Sequence, residues 1–162
     1  MIEWKYGITP ADMIHAPVLA AIHRASFPEG ESWGADAIGL QLRFPRVFAL
    51  FHPAGGMILA RCAVDQAEVL TMGVLPGLRA RGLGTALLTA GMEKAASLGA
   101  REIFLEVSAR NRAAHALYIK CKFTETGRRP GYYRGGVDAL VLRAQLPPPR
   151  IAGAITAPTQ SS

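Results

Sequence analysis

The most regular pattern of apolar and polar positions in the chain covers residues 82–98. Its apolar and small positions recur at helical spacing and share one face: Leu83, Leu87, Ala90, Gly91, Ala95 and Leu98. Polar side chains such as Thr85 and Glu93 occupy the opposite face. Gly99 then stands where such a helix would end. The pattern predicts an amphipathic helix with one buried face.

Short apolar runs bounded by turn residues predict strands at 2–8, 46–52, 56–64, 67–74, 102–108, 123–128 and 137–143. Weaker helical patterns predict helices at 17–26, 32–43 and 112–121. Residues 9–12 are typical of a helix start, but Pro17 would break a helix that began there.

The predicted order, β-α-α-β-β-β-α-β-α-β-β, is typical of a single α/β sandwich domain with a mixed sheet, and we place this domain at residues 1–146. Residues 147–162 are rich in Pro, Ala and Ser and have no periodicity, so we expect a flexible tail there.

Composition narrows the class of protein. The chain has 162 residues, is 50% hydrophobic and has a mean hydropathy of +0.19, which excludes an intrinsically disordered chain. Its apolar runs are strand-sized and fall short of the roughly 18 residues of a membrane span. Two cysteines, Cys62 and Cys121, without a CxxC motif predict neither a disulfide scaffold nor a zinc site. The first residues lack a signal-peptide layout, so we expect a cytoplasmic protein without a membrane partner.

The positive charge is concentrated in the second half of the chain. The formal net charge is +6, and the sequence pI is ≈ 9.8. Residues 1–70 contain 5 Lys and Arg against 7 Asp and Glu, a net of −2, whereas residues 71–150 contain 13 against 5, a net of +8. This distribution predicts an anionic ligand for the second half, either a nucleic acid or a small molecule.

The strongest chemical motif joins a predicted strand to the amphipathic helix. Arg79 precedes Gly82 and Gly84 at the start of that helix, where free N–H groups and the helix dipole favour an anion such as a pyrophosphate. The segment lacks the Lys-Ser/Thr of a P-loop and the full GxGxxG of a dinucleotide site. A helix start that needs small residues only for packing remains an alternative.

These residues match the R-x-x-G-x-G signature of the GNAT acetyltransferase superfamily. The stretch from Leu105 to Tyr118, followed by Phe123, is similar to the L-E-V-x-x-x-N-x-x-A-x-x-L-Y…F stretch of that superfamily. Residues 128–133 and 138–140 resemble one branch, the bacterial ribosomal-protein-alanine N-acetyltransferases of the RimI type. The resemblance covers about residues 56–144 well, and residues 1–55 match only in layout.

The resemblance implies a fold and a cofactor. The fold would be a GNAT-type three-layer sandwich, with a mixed, mostly antiparallel sheet flanked by helices. The donor would be acetyl-CoA, without a metal. Its binding residues would be Met72, Gly73 and Val74 along the pantetheine arm, the pyrophosphate loop of Arg79, Ala80, Arg81, Gly82, Leu83, Gly84 and Thr85, and Asn111 on the next helix. Asn111 is also a candidate helix N-cap, and the two roles are compatible.

The resemblance also assigns the catalytic roles to Glu106 and Tyr118. Glu106 stands in an otherwise apolar strand, where a carboxylate is a candidate general base, although an ion pair with an arginine is the simpler alternative. Tyr118 would protonate the departing thiolate, and its alternative is an aromatic side chain packed on the sheet. Glu68 is a second possible base. Main-chain N–H groups near Met72 and Gly73 would bind the oxyanion.

The acceptor is predicted from the resemblance to the RimI branch. The RimI resemblance implies the N-terminal alanine of a ribosomal protein, held by residues 27–34 with Trp33 and by Tyr132 and Tyr133. A small-molecule amine and a non-enzymatic nucleic-acid module are the alternatives. We expect no direct nucleic-acid partner, because Arg79, Arg81, Arg110 and Arg112 are better explained as facing the phosphates of coenzyme A. Lys122 stands where the family usually has a glycine in a left-handed conformation.

Overall fold

The computed structural model describes residues 3–148. Within this range seven strands form one sheet: β1 (Thr9–Ala11), β2 (Val47–His52), β3 (Gly56–Ala63), β4 (Gln66–Val74), β5 (Glu102–Ser108), β6 (Thr124–Tyr133) and β7 (Val137–Gln145). The same residues form four α-helices: α1 (Ala16–Ser26), α2 (Ala35–Leu42), α3 (Leu83–Ser97) and α4 (Arg112–Lys120). Short 3-10 turns lie at Trp4–Gly7, Met13–His15 and Pro76–Leu78.

The sheet is mixed and mostly antiparallel. Its strands are ordered β1-β2-β3-β4-β5-β7-β6. Neighbouring strands are antiparallel except for β4 and β5, which run parallel. A parallel pair needs a crossover connection, and α3 supplies it.

The sheet separates two apolar cores because side chains alternate across each strand. On one face, α3 packs through Leu83 and Leu87 against sheet residues such as Ile58, and α4 joins the same cluster. On the other face, α1 and α2 pack through Leu19 and Ile38 on side chains of β2 and β3. Each fully buried leucine contributes about 1.5–3 kcal/mol to folding. We call these two sides the α3/α4 face and the α1/α2 face, and together with the sheet they make the predicted three layers.

The sheet opens between β4 and β5. Their pairing extends only from Gln66 opposite Glu102 to Glu68 opposite Phe104. Just beyond, β4 contains a bulge in which Leu70 is the extra residue opposite the step from Leu59 to Ala60. A bulge bends its strand and increases the local twist. The rest of β4 therefore diverges from β5 and leaves a free edge over residues 69–74.

From residue 16 onward the predicted elements agree with the structure to within three residues at each end, apart from β6, which runs on to Tyr133. The predicted left-handed position is also confirmed, because Lys122 has a φ of 72°. All but the first two residues of the predicted tail, 147–162, lie outside the described residues. Among the helices of residues 3–148, none has both the length and the apolar character needed to cross a membrane.

The predicted strand at residues 2–8 is wrong. Trp4–Gly7 form a 3-10 turn, and the side chain of Trp4 is buried in the core of the α3/α4 face. The edge strand lies at Thr9–Ala11 instead, where Pro10 is tolerated because β1 pairs on one side only. The helical cap of this region is Asp12, whose carboxylate accepts the Ile14 N–H at 3.1 Å.

Candidate active site

A cleft of about 930 Å³ passes through the opening between β4 and β5. On the α3/α4 face its walls are the loop after β4, the first turn of α3, and α4. On the α1/α2 face its walls are the end of α1, the loop that leads to α2, and the turn between β6 and β7. Ligands that bind from opposite faces can therefore meet inside the opening of the sheet.

The loop between β4 and α3 and the first turn of α3 both border the cleft. Ala80 and Gly82 have left-handed φ angles of 60° and 91°, and Gly82 precedes α3 without a side-chain cap. The first N–H groups of a helix have no partner within the helix, and the positive end of its dipole lies there. This end of α3 is therefore suited to an anion.

Gly84 has a different role from Gly82. A Cβ at Gly84 would lie 3.3 Å from Cδ2 of Leu117, so this glycine allows α3 to approach α4 closely. In the motif, Gly82 thus provides the left-handed position at the candidate anion site, and Gly84 meets the packing requirement between α3 and α4.

Of the four arginines predicted to face the phosphates of coenzyme A, one borders the cleft. Arg79 borders the cleft, but its guanidinium donates to the carbonyl oxygens of Val74 at 3.1 Å and Ser26 at 2.7 Å. It ties the loop to the ends of β4 and α1. The exposed residues Arg81, Arg110 and Arg112 do not border the cleft.

A tryptophan from the N-terminus supports the same loop. The Nε1 of Trp4 donates to the carbonyl oxygen of Arg81 at 2.7 Å. Its ring also lies close to Gly82, since a Cβ there would be 3.7 Å from Cδ1 of Trp4. Trp4 therefore helps to hold the left-handed segment in place.

Two predicted residues of α4 border the cleft on the α3/α4 face. Asn111 is the N-cap of α4, and its Oδ1 accepts the Ala114 N–H at 3.1 Å. Tyr118, two turns further on, is buried and packs on Phe123. Burial raises the pKa of Tyr118 to about 12, with smaller contributions from Tyr133 and Cys121. The phenol keeps its proton at neutral pH, as a proton donor must.

Glu106 lies on β5 at the edge of the cleft, and its side chain is 26% exposed. Its Oε1 is 2.8 Å from Nε of Arg129 on β6. Glu106 therefore borders the cleft and is paired with an arginine, and its role as the general base stays a prediction. Glu68 does not border the cleft but a smaller groove of about 390 Å³, which Glu106 also borders, and its carboxylate contacts Arg61 at 2.7 Å.

On the α1/α2 face the cleft is lined by aromatic rings around a buried histidine. The ring of His23 stacks on that of Phe27 with centroids 4.0 Å apart and on that of Trp33 at 5.8 Å. Nδ1 of His23 accepts the main-chain N–H of Trp33 at 3.0 Å, and Nε2 lies 2.8 Å from Oγ1 of Thr71. Burial lowers the pKa of His23 to about 4, so the imidazole is neutral at physiological pH.

Tyr133 borders the cleft from the turn between β6 and β7. Burial raises the pKa of Tyr133, and the nearby Glu106 raises it further. Its neighbour Tyr132 contacts it edge-on, with ring centroids 5.1 Å apart, but is 57% exposed and does not border the cleft.

Most of the predicted site residues come together along the cleft, namely Trp33, Met72, Gly73, Val74, Arg79, Ala80, Gly82, Gly84, Thr85, Glu106, Asn111, Tyr118 and Tyr133. Three do not border it: Arg81 and Tyr132 are exposed, and Leu83 is fully buried in the core.

Sequence reasoning missed His23 and Thr71, which border the cleft together. The signal for His23 is its place on the apolar face of α1, four residues after Leu19. Nothing in the sequence pairs it with a threonine 48 residues away.

Comparisons with known proteins agree with this geometry. Residues 20–123 match the model of the acetyltransferase (GNAT) family. N-alpha-acetyltransferase RimI of Mycobacterium tuberculosis is 30% identical over 146 residues, which cover 85% of this chain and 89% of that protein. A mycothiol acetyltransferase of Clavibacter michiganensis is 45% identical over 69 residues, which cover 43% of this chain and 22% of that protein. The matches to several curated relatives thus extend over about a fifth to a half of those proteins.

A solved structure shares the fold over nearly the whole chain. The ribosomal-protein-S18-alanine N-acetyltransferase from Escherichia coli superposes with a TM-score of 0.76 at 24% identity. The superposition covers 93% of this chain and 97% of that chain. The predicted sandwich architecture is thereby confirmed.

Proposed function

Because the chain belongs to the GNAT acetyltransferase family, we propose that it transfers the acetyl group of acetyl-CoA to the N-terminal alanine of a ribosomal protein. The observation that carries this proposal is the cleft through the sheet, which offers one reaction centre to ligands from both faces. The match to the RimI relative over most of both chains supports an α-amine as acceptor.

The α3/α4 face fits coenzyme A. Residues 80–85 would hold its pyrophosphate through main-chain N–H groups at the start of α3. Residues 72–74 would pair with its pantetheine arm along the free edge of β4, in the manner of an added strand. Asn111 would contact the cofactor from α4. When bound, acetyl-CoA supplies the acetyl group as a thioester.

The residues around the opening can perform a direct transfer. Glu106 accepts the proton that the amine loses, directly or through a water, as the amine nitrogen bonds to the thioester carbon. Main-chain N–H groups near Met72 and Gly73 stabilise the oxyanion. Tyr118 donates its proton to the sulfur when the carbon–sulfur bond breaks. An α-amine has a pKa of about 7.7–8.0 against about 10.4 for lysine, so a modest base suffices.

Transfer without an acetylated enzyme is supported by the two cysteines. Burial raises the pKa of the Cys62 thiol and also that of Cys121. A thiol with a raised pKa is a poor nucleophile at neutral pH, because the thiolate is the reactive form. Both thiols are therefore poor candidates for an acetylated intermediate, which supports direct passage of the acetyl group from the thioester to the amine.

The shape of the α1/α2 side supports a small first residue in the acceptor. Ser26 and Phe27 pack against β4 so closely that a Cβ on Gly73 would lie 3.1 Å from Ser26. Ser26 and Phe27 thus crowd the free edge of β4, which favours a small first residue such as alanine there. The cytoplasmic location and the lack of membrane and nucleic-acid partners remain predictions from the sequence.

Mass spectrometry of an Ala-initiated ribosomal-protein peptide, incubated with acetyl-CoA and the full chain, tests the proposal. We expect one acetyl group on the N-terminal residue and none on the same peptide with a blocked N-terminus. A panel of spermidine, an aminoglycoside and a lysine peptide with a blocked N-terminus provides the comparison. Faster acetylation of any panel member than of the Ala-initiated peptide would contradict the proposed acceptor.

A further inference from the structure

His23 and Thr71 form a buried polar pair that the proposed chemistry does not use. His23 is 1% exposed and lies on α1, whereas Thr71 lies on the free half of β4. Nε2 of His23 and Oγ1 of Thr71 are 2.8 Å apart, and both residues border the cleft on the α1/α2 face. The pair therefore joins the acceptor side of the cleft to the strand that would bind the cofactor.

The hydrogen bonds of His23 determine which ring nitrogen is protonated. A main-chain N–H can only donate, so Nδ1 of His23 accepts from Trp33 at 3.0 Å and carries no proton. The neutral imidazole then holds its single proton on Nε2, which donates to Oγ1 of Thr71. The ring is held in this orientation by the stacked ring of Phe27.

This arrangement gives the Thr71 hydroxyl a defined direction. Its oxygen accepts from His23, so its own hydrogen is available for another acceptor. In the part of the chain that the structure describes, the Thr71 side chain makes no second hydrogen bond. Thr71 pairs with Leu59 of β3, which belongs to the core of the α1/α2 face, so the hydroxyl lies on the acceptor side.

We propose that Thr71 recognises the acceptor by donating a hydrogen bond to the carbonyl oxygen next to the reactive α-amine, with His23 as the residue that positions this donor. A peptide N-terminus has such a carbonyl, whereas polyamines and lysine side chains have none beside the amine. Thr71 is therefore a specificity determinant for α-amino acyl groups. The inference rests on the proposed function, because it assumes a peptide N-terminus as acceptor.

Steady-state kinetics of the full chain with the Ala-initiated peptide test this inference. Thr71→Val keeps the side-chain shape and removes the donor, and we expect it to raise the KM for the peptide about 3- to 10-fold. The Kd for acetyl-CoA, measured by calorimetry, should stay within about twofold of the wild-type value. Thr71→Ser keeps a hydroxyl and should restore the wild-type KM. Thr126→Val, on the exposed strand β6, is the matched control and should behave as wild type.

A second substrate separates recognition from a general structural effect. In an analogue of the peptide, the first carbonyl is replaced by a methylene group, so Thr71 has no acceptor there. The wild type should use this analogue with a raised KM, and Thr71→Val should change that KM little. An equal effect of Thr71→Val on both substrates, or a weakened affinity for acetyl-CoA instead, would overturn the inference.

The role of His23 is tested by its coupling to Thr71. His23→Asn keeps an acceptor near the position of Nδ1 but has no donor at the position of Nε2, so it should raise the KM for the peptide in the wild-type background and add little to Thr71→Val. Fully additive effects would overturn the positioning role. His115→Gln, at a residue of α4 that does not itself border the cleft, is the control for a histidine substitution.

The two proposals fail in different ways. If the wild type acetylates only amines without a neighbouring carbonyl, the proposed function and this inference both fail. If the wild type acetylates the Ala-initiated peptide and Thr71→Val matches it in every constant, this inference alone fails.

Discussion

The two sides of the cleft differ in what they present to a ligand. Besides the side chains of Asn111 and Tyr118, the α3/α4 face contributes a loop with the left-handed residues Ala80 and Gly82 and the start of α3, whose first N–H groups have no partner within the helix. The α1/α2 face presents side chains, above all those of His23, Trp33 and Tyr133. A main-chain site depends on backbone conformation, whereas a side-chain site changes with each substitution. We therefore expect variants of the first side to alter cofactor affinity and variants of the second to alter acceptor use.

Glu106 lies where the two sides of the cleft meet. Its loss should therefore lower turnover and leave the affinities for acetyl-CoA and for the peptide unchanged. Glu106→Gln removes the proton acceptor, and we expect kcat to fall about 100-fold or more while the Kd for acetyl-CoA is unchanged. Stopped or initial-rate assays measure kcat, and calorimetry measures the Kd for acetyl-CoA. Glu102→Gln, on the same strand and paired with Arg143 at 3.6 Å, is the matched control. Wild-type turnover of Glu106→Gln would remove the assignment of the base.

Acid should destabilise the acceptor side through His23. Its pKa is about 4 in the folded chain and 6.5 for the unperturbed group, so the unfolded chain binds the proton first as the pH falls. Above about pH 6.5 the histidine is neutral in both states and does not change the free energy of unfolding. Between pH 6.5 and 4 the free energy of unfolding falls, by about 3 kcal/mol in total. Urea unfolding of wild type and His23→Gln across this range measures the difference, and identical pH dependence in both would contradict it.

Gly82 tests the main-chain site. At a φ of 91°, Gly82→Ala places a Cβ in an unfavourable conformation, which costs about 1–2 kcal/mol. We expect the loop to shift and the Kd for acetyl-CoA to rise about tenfold, with the KM for the peptide unchanged. Gly77→Ala is the control, because a Cβ there meets nothing within 4 Å and its φ is not positive. Equal effects of the two substitutions would show that the left-handed conformation is irrelevant to binding.

The two tryptophans of the chain provide the sharpest contrast, since each belongs to one side. Trp4→Phe removes the hydrogen bond to the Arg81 carbonyl and should weaken acetyl-CoA binding about threefold, without an effect on the peptide. Trp33→Phe should raise the KM for the peptide by a similar factor and leave acetyl-CoA binding unchanged. Calorimetry and initial rates on both variants distinguish the effects. If both variants changed the Kd for acetyl-CoA, or both changed the KM for the peptide, the result would argue against two separate sides of the cleft.

The same contrast explains how much of the site the sequence predicts. The main-chain side requires glycines at fixed places around a helix start, so Gly82 and Gly84 are visible as a motif. The direction of the Arg79 guanidinium cannot be read from the sequence, because it depends on a hydrogen bond to the Ser26 carbonyl at the end of α1, in another layer of the fold. The pair of His23 with Thr71 likewise forms only when α1 packs on β4.

The fold shows the same division between local and distant causes. Alternation and turn residues locate β2 to β5 and β7 because each of these strands buries one or both faces, whereas β6 is largely exposed and its end is predicted less well. The bulge at Leu70, which opens the sheet, breaks that alternation without leaving a glycine or proline as a signal. The N-terminal turn has the alternation of a strand, but burial of Trp4 beside the Arg81 loop determines its structure instead.

A bisubstrate ligand tests the central claim most directly, namely that one opening in the sheet joins a cofactor side to an acceptor side. The ligand is coenzyme A linked through its sulfur and an acetyl bridge to the α-amine of the Ala-initiated peptide. We predict that it inhibits competitively against both acetyl-CoA and the peptide and binds more tightly than either alone. Competition with acetyl-CoA alone, at an affinity no better than that of coenzyme A, would contradict the account.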